Sequence, residues 1–222
     1  MGRPAGGRPS KISHADVLDA ARALGLSRLT VKAVAAELGV SVQALYYHVK
    51  DVEELRDQVA EHLMEPFPMP LDDGASWSEW AYRFAHDLRD FYERNPGLAH
   101  HATSRIPQTV SMLTRYNMSM VVALRSGFRE TEAQWATRAV VEFVSWWVAR
   151  DEARVTEDEK QQSAFRRKIQ EKRDLIPQFA KAFEATISIP AAVRFDFTIR
   201  ALIDGLSSMA AALAPQGPAE ES

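Results

Sequence analysis

The sequence predicts an all-α protein built from two helical domains. Apolar residues recur at the three- and four-residue spacing of amphipathic helices along most of the 222 residues, and no stretch shows a convincing strand-like alternation. Between residues 29 and 55, two short helical patterns are separated by a glycine, which is the layout of a helix-turn-helix. The segment EPFPMPLDDGA, residues 65–75, contains three prolines and a glycine that must end any helix, so it marks the expected domain boundary.

The first helix is predicted to begin after Ser13. Ser13 and Asp16 form an S-x-x-D capping signal, in which the hydroxyl and the carboxylate satisfy backbone amides of the first turn. Gly25 is expected to stop this helix, whose apolar face consists of Val17, Ala20, Ala21 and Leu24.

Two further helices complete the predicted three-helix head, and a fourth helix follows it. Thr30 is the candidate N-cap of a second helix that runs to about Leu38, where Gly39 allows a sharp turn. Ser41 caps a third helix, which is expected to contain Leu45, Tyr46, Tyr47 and His48. A fourth helix begins at a cap formed by Asp51 and Glu54, and its apolar stripe consists of Val52, Leu55, Val59 and Leu63.

The composition of the third helix favours DNA binding over simple core packing. Its buried side needs only Leu45 and Val49, so the remaining side chains are available for other contacts. Gln43 can pair with an adenine edge, Val42 or Ala44 can contact a thymine methyl group, and the tyrosine hydroxyls and Lys50 can hold phosphates. The alternative is an ordinary helical pair, because helix-turn-helix patterns also occur by chance.

The run LTVKAVAAELGVSVQALYYHVKDVEEL, residues 29–55, resembles the DNA-binding domain of TetR-family regulators without a gap. That family's pattern is a helix, then A-x-x-L-G-V-S, then A-L-Y-x-H-V-K-x-x-x-x-L. Many members place a basic residue at the start of the following helix, where this chain has Val52, so Lys50 is expected to supply that charge. The resemblance and the pattern together assign DNA contacts to Thr30, Lys32, Ser41, Gln43, Tyr46, Tyr47, His48 and Lys50.

The charge distribution agrees with an N-terminal DNA-binding domain. Residues 1–50 contain seven Lys or Arg and three acids, a balance of +4, whereas the whole chain carries −3, which leaves −7 for residues 51–222. A basic end on an acidic body suits a protein that presents that end to DNA, although chance could produce the same imbalance. Residues 1–11 are expected to be a disordered basic arm, and residues 215–222 a disordered tail.

The predicted organisation is an N-terminal three-helix helix-turn-helix DNA-binding domain, residues 12–65, joined to a C-terminal helical-bundle ligand-binding and dimerisation domain, residues 76–214. Two C-terminal helices, within residues 130–154 and 190–214, carry apolar residues on more than one face. A partner subunit would cover them. We therefore predict a homodimer that binds two half-sites roughly 34 Å apart on a pseudo-palindromic operator. The other predicted helices of this domain span residues 76–94, 97–102, 107–126 and 158–186, with a break at Pro177.

The C-terminal domain resembles the ligand-binding domain of the tetracycline-repressor branch, with a tryptophan-led helix before a His-x-x-x-Arg-x-Pro turn. In that branch the histidine, which corresponds here to His101 or alternatively to His100, helps to hold a magnesium–tetracycline chelate. Arg150 and Pro68 stand where the branch has two further polar ligand contacts, which argues against that chelate but not against another ligand. Candidate pocket residues, each of which could instead be plain core, are Phe84, Leu88, His101, Arg105, Tyr116, Met118, Trp135, Glu142 and Trp147.

These observations predict a ligand-responsive transcriptional regulator, a repressor that a small-molecule effector releases from its DNA operator. No cofactor and no resident metal ion are predicted, because the chain has no cysteine and its adjacent His100 and His101 point about 100° apart on a helix. No signal peptide or membrane-spanning run is recognised, so a cytoplasmic protein is expected. The alternatives are a helical enzyme, for which no catalytic motif is found, and a protein-binding adaptor.

Overall fold

The computed structural model describes residues 12–104, 110–156 and 159–213, and within these ranges the chain forms eleven α-helices and no strand. The all-α prediction is confirmed. The expected basic arm, Arg105 and the expected tail lie outside the described residues. The helices are α1 His14–Leu24, α2 Val31–Glu37, α3 Val42–Leu45, α4 Val52–Met64, α5 Trp77–Arg94, α6 Leu98–Ser104, α7 Val110–Arg125, α8 Glu130–Thr156, α9 Glu159–Glu171, α10 Pro177–Thr186 and α11 Ala191–Leu213.

Helices α1 to α4 form the head, and the predicted caps start each of them. Ser13 and Asp16 make both hydrogen bonds of a capping box. The side chains of Thr30, Ser41 and Asp51 each accept a hydrogen bond from the backbone amide of the third residue of their helix. A 3₁₀ turn at Leu26–Arg28 links α1 to α2. The head is closed by an apolar core of Val17, Leu26, Leu29, Val34, Leu45, Val49, Leu55 and Val59.

Helix α3 is shorter than the sequence predicted, because its regular part ends at Leu45. The chain continues in tighter turns, in which the Tyr47 amide donates to the Ala44 carbonyl at 3.3 Å and the His48 amide donates to the Leu45 carbonyl at 2.9 Å. Aromatic and histidine side chains favour a helix less than alanine or leucine does. The tightened turn places Val49 in the core and leaves the tyrosines outside.

The linker between the domains is fastened to the body formed by α5 to α11. Arg83 holds the Asp73 carboxylate through two hydrogen bonds of 2.7 and 2.9 Å. Arg125 donates to Asp72 and to the Ala75 carbonyl, both at 2.7 Å. The Trp80 indole adds a hydrogen bond to the carbonyl of Pro70 at 3.1 Å. The linker therefore has a fixed course over α5 and α7.

Helix α8 is the centre of the body and packs against α5, α6, α7 and α11. Its buried face consists of small and β-branched residues, which allow close packing of the neighbouring helices: Ala133, Ala136, Val140, Val144 and Val148. Helix α5 contributes aromatic residues that include Trp77, Trp80, Phe84 and Phe91, and α11 contributes Phe195, Ile199 and Ile203. The predicted break near Pro177 is found, because α9 ends at Glu171 and α10 begins at Pro177.

Candidate DNA-binding face and ligand cavity

Five of the predicted DNA contacts lie on the outer side of the helix-turn-helix. Their side chains are exposed, and Tyr47 is the extreme case at 82%. The inward positions of the same helices are filled by the apolar core, so the outward residues do not support the fold by packing. This polar and aromatic face consists of Lys32, Gln43, Tyr46, Tyr47 and Lys50.

Thr30 and Ser41 have a structural role first. Their hydroxyl oxygens accept the amides of Ala33 and Ala44, each at 3.1 Å, and so begin α2 and α3. Each hydroxyl hydrogen can still be donated to a phosphate. His48 is half-buried, and its carbonyl accepts a hydrogen bond from His14 Nδ1 at 2.9 Å, which ties the end of the third helix to α1.

Lys50 and Arg56 connect the helix-turn-helix to α4. The backbone amide of Lys50 donates to the Glu54 carboxylate at 3.3 Å, and its side chain is exposed. Arg56 on α4 donates to the Leu29 carbonyl at 2.8 Å, which fixes α4 against the start of α2. Sequence reasoning missed Arg56, because a single arginine on an amphipathic helix carries no distinguishing pattern.

A large cavity of about 720 Å³ lies between α4, α6, α7 and α8. Its size falls in the range of small-molecule sites, roughly 300 to 1,000 Å³. We call it the outer cavity. Its walls combine apolar residues with polar groups from all four helices, among them Met64, Leu98, His101, Met120, Glu142 and Trp146.

A second cavity of about 30 Å³, the inner chamber, adjoins the outer cavity between α5, α7 and α8. The two share part of their lining, including Tyr92, Met112, Tyr116 and Val141. The inner chamber is lined mainly by apolar side chains of the linker and α5, such as Phe67, Phe84 and Leu88.

The structure brings five of the predicted pocket residues to these two cavities. Tyr116 lines both cavities. His101 and Glu142 line the outer cavity, and Phe84 and Leu88 line the inner chamber.

Three predicted pocket residues do not line either cavity. Met118 is 40% exposed and Trp135 is 62% exposed, whereas Trp147 packs against Phe143 and Phe195. The reason is the rotation of α7 and α8 in the bundle. Helix α7 presents Met112, Tyr116 and Met120, at four-residue spacing, to the cavity. Arg105 lies outside the described residues.

Hydroxyl groups and an ion pair contribute to the polar part of the cavity walls. Burial raises the pKa of Tyr92 to about 12, and the Ser145 hydroxyl donates to the Tyr92 oxygen at 3.3 Å. Burial, followed by the nearby Glu142 carboxylate, also raises the pKa of Tyr116. Arg138 and Glu142 pair at 2.6 Å, and both are more than half exposed. Both tyrosines are therefore neutral donors at physiological pH.

Helix α4 belongs both to the cavity wall and to the head. Asp57, Ala60, Glu61 and Met64 line the outer cavity, while Leu55 and Val59 of the same helix are buried in the head core. His101 Nε2 on α6 lies 3.2 Å from Asp57 Oδ1, and Arg115 on α7 donates to the Met64 carbonyl at 2.7 Å. Sequence reasoning missed both contacts, because their partners are 44 and 51 residues apart.

Gly97 lies at a close contact between the body and the head. Its φ is +89°, and a β-carbon placed on it would lie 2.7 Å from the amide nitrogen of Ser27, in the 3₁₀ turn of the head. Its own amide donates to the Glu152 carboxylate of α8 at 3.2 Å. A backbone-to-backbone contact of this kind requires glycine.

The described ranges show neither a membrane-spanning helix nor a metal-binding cluster. No helix in them is long and apolar enough to cross a membrane. They also contain no group of three or more His, Asp or Glu side chains arranged to hold a metal ion.

The C-terminal domain decides the family. Residues 69–210, well over half of the chain, match the model of the tetracyclin repressor-like C-terminal domain. The chain belongs to the TetR family of transcriptional regulators. The prediction of a TetR-family regulator is thereby confirmed. No curated protein matches the sequence significantly.

Solved structures of TetR-family regulators share the fold. Apo ActR from Streptomyces coelicolor superposes with a TM-score of 0.75 at 18% identity, over 92% of this chain and 99% of that one. ActR in complex with actinorhodin gives 0.72 at 20% identity, over 93% and 99%. A TetR variant from Acinetobacter baumannii AYE in complex with minocycline gives 0.64 at 20% identity, over 90% and 99%. The likeness extends over both domains.

Proposed function

We propose that this TetR-family regulator is a ligand-responsive repressor, which binds a pseudo-palindromic operator as a homodimer and is released by a small-molecule effector. The observation that carries the proposal is the double role of α4. One side of this helix forms a wall of the outer cavity, and the other side belongs to the core of the head. A ligand in the cavity therefore touches the element that positions the DNA-binding face.

The exposed face of the helix-turn-helix supports the DNA-binding part of the proposal. Gln43 is placed to read a base edge, whereas Lys32, Lys50 and the two tyrosines are suited to hold the phosphate backbone. We assign further phosphate or backbone contacts to Thr30, Ser41 and His48.

An exposed stripe on α11 supports the homodimer. Phe197 is 76% exposed and Met209 is 63% exposed, and at four-residue intervals between them lie Ala201 and Gly205, also exposed. A β-carbon added to Gly205 would have no neighbouring atom within 4 Å in the described part of the chain. Large apolar residues flanking small ones allow two helices to pack closely, so we propose α11 as the dimer contact.

The effector must bind one arrangement of the dimer better than the other. In one arrangement of the dimer, the spacing of the two heads does not fit two half-sites. An effector that binds this arrangement more tightly increases its population and so reduces DNA binding. The coupling free energy between two such sites is typically about 1 to 3 kcal/mol. The complexes of ActR with actinorhodin and of the TetR variant with minocycline support a small-molecule role for the cavity in this fold.

The test is a fluorescence-anisotropy titration of the full chain against DNA that flanks its own gene, at several salt concentrations and with excess competitor DNA. We expect tight binding that survives competition and weakens steeply with salt. Lys50→Ala should weaken binding and reduce the salt slope by about one, because one phosphate contact is lost.

Lys181→Ala is the matched control for Lys50→Ala. Lys181 is also exposed, but it lies on α10 in the body, so its loss should leave operator affinity unchanged. Equal effects of the two substitutions would contradict the assignment of Lys50. Absence of binding at any salt concentration would contradict the proposed function.

A further inference from the structure

The inner chamber contains a buried hydroxyl group that the fold does not use. Thr137 on α8 is 4% exposed, it lines the chamber, and its Oγ1 has no hydrogen-bond partner among the described residues. A threonine in a helix usually bonds to the carbonyl four residues earlier, here that of Ala133. Nearly all buried hydroxyl groups in proteins have a partner, so this one needs an explanation.

A second buried hydroxyl group lies on the same chamber. Ser119 on α7 is 3% exposed and donates its hydrogen to the Arg115 carbonyl at 3.2 Å, which leaves its oxygen able to accept. Thr137 can both donate and accept. The chamber therefore offers the Thr137 hydroxyl, which has no partner among the described residues, beside the polar groups of Ser119, Tyr92, Tyr116 and Arg115, and the rest of its lining is apolar.

The size and charge of the chamber limit what can enter it. A volume of about 30 Å³ is two to three times the roughly 10 to 15 Å³ that a single water needs on the same measure, so the chamber admits a small oxygen-bearing group but not a ring. Arg115, whose charge lies at the chamber wall, disfavours a cationic group. The rings and thioethers of Phe84, Met69 and their neighbours favour an uncharged group.

We propose that the inner chamber binds the terminal carbonyl oxygen of the effector, with Thr137 as the donor, while the larger apolar body of the effector fills the outer cavity. This inference rests on the proposed function and adds the chemical class of the ligand, an uncharged, largely apolar ketone or quinone. Tyr116, Met112 and Val141 line both cavities, so a ligand that occupies both would lie against these three residues. The hydroxyl of Thr137 then favours ligands that carry a carbonyl oxygen at this position, because that oxygen accepts its hydrogen bond.

The binding test uses the full chain and the probe 6-propionyl-2-dimethylaminonaphthalene, an apolar bicyclic ketone, by isothermal titration calorimetry. Thr137→Val keeps the shape of the side chain and removes the hydroxyl, so it should weaken probe binding about 3- to 10-fold. Thr137→Ser keeps the hydroxyl and should bind nearly as the wild type does. The 6-propyl analogue, which lacks the carbonyl, should bind wild type and Thr137→Val equally.

A stability measurement separates ligand binding from a structural role. Without ligand, Thr137→Val removes an unsatisfied buried hydroxyl, so its Tm should rise by about 2 to 6 °C. A lower Tm would show that the hydroxyl is already bonded in the free protein, and that result would overturn the proposal.

Absence of probe binding to the wild type, or equal affinity of wild type and Thr137→Val for the ketone, would also overturn it. These measurements contain no DNA. A failure of operator binding would therefore leave them unchanged, and a failure here would leave the operator titration intact.

Discussion

Replacing Gly97 with alanine tests whether the contact between body and head is as close as described. Two costs add. A side chain at positive φ costs about 1 to 2 kcal/mol, and a β-carbon 2.7 Å from the Ser27 nitrogen adds an overpacking cost of about 1 to 3 kcal/mol. At roughly 2 to 4 °C per kcal/mol for a chain of this length, even the lower sum of about 2 kcal/mol lowers the Tm by about 4 to 8 °C.

Gly127→Ala provides the matched control. Gly127 has nearly the same φ, +92°, but nothing lies within 4 Å of the added β-carbon. Gly127→Ala should therefore lose stability only because an alanine at positive φ is unfavourable. The difference in Tm between the two variants then measures the cost of the clash at Ser27. The assay is differential scanning calorimetry of both proteins against the wild type.

Operator affinity supplies the functional half of the same test. To relieve the clash, Gly97→Ala must move α6 away from the 3₁₀ turn of the head, so the separation of the two heads and the affinity for DNA should change. Gly127 lies between α7 and α8, next to Ser126, whose hydroxyl oxygen accepts the Trp77 amide at the N-terminal end of α5, whereas Gly97 follows the C-terminal end of that helix. Gly127→Ala should therefore bind the operator as the wild type does. Equal Tm values for the two variants would refute the close approach at Ser27.

Two further predictions concern the dimer and the linker. Phe197→Glu should produce a folded monomer, measured by sedimentation velocity and circular dichroism, because it places two charges at a symmetric contact while the side chain makes little contact within its own chain; a dimer that persists would contradict the assignment of α11. For the linker, the Arg83 guanidinium holds the pKa of Asp73 well below its usual range near about 4. A carboxylate with a depressed pKa stabilises the folded protein at pH values above its usual pKa, and this stabilisation is lost as the pH falls below that value and the group becomes protonated. The Tm difference between wild type and Asp73→Asn should therefore shrink below about pH 4. A difference that does not change with pH would contradict the ion pair.

The helix starts of the head could be predicted because their signals are local. Each of these helices is capped by a side chain that accepts a hydrogen bond from the amide three residues later, so both partners lie within four consecutive residues of the sequence. The capping residues are Ser13, Thr30, Ser41 and Asp51. Gly39 likewise has the positive φ that a sharp turn requires.

The cavity residues were only partly predictable, because their positions depend on how whole helices rotate against each other. Apolar periodicity marks Trp135 and Tyr116 equally, yet the bundle leaves the first exposed and turns the second into the cavity. The pairing of His101 with Asp57 and the close approach of Gly97 to Ser27 join residues that are 44 and 70 apart in sequence. No local pattern contains that information.

Because the linker is fastened to the body, the C-terminal end of α4 is fixed, and the helix can rotate as a rigid arm about that end. At its C-terminal end, Arg115 grips the Met64 carbonyl, and the linker that follows is fixed by Arg83, Arg125 and Trp80. The 13 residues of α4 give an arm of about 20 Å, so a rotation of about 10° about the held end displaces Val52 by about 3 Å. Under the proposed function, a ligand that shifts the cavity wall by a fraction of an ångström near Met64 would produce a movement several times larger at the exposed face of the helix-turn-helix.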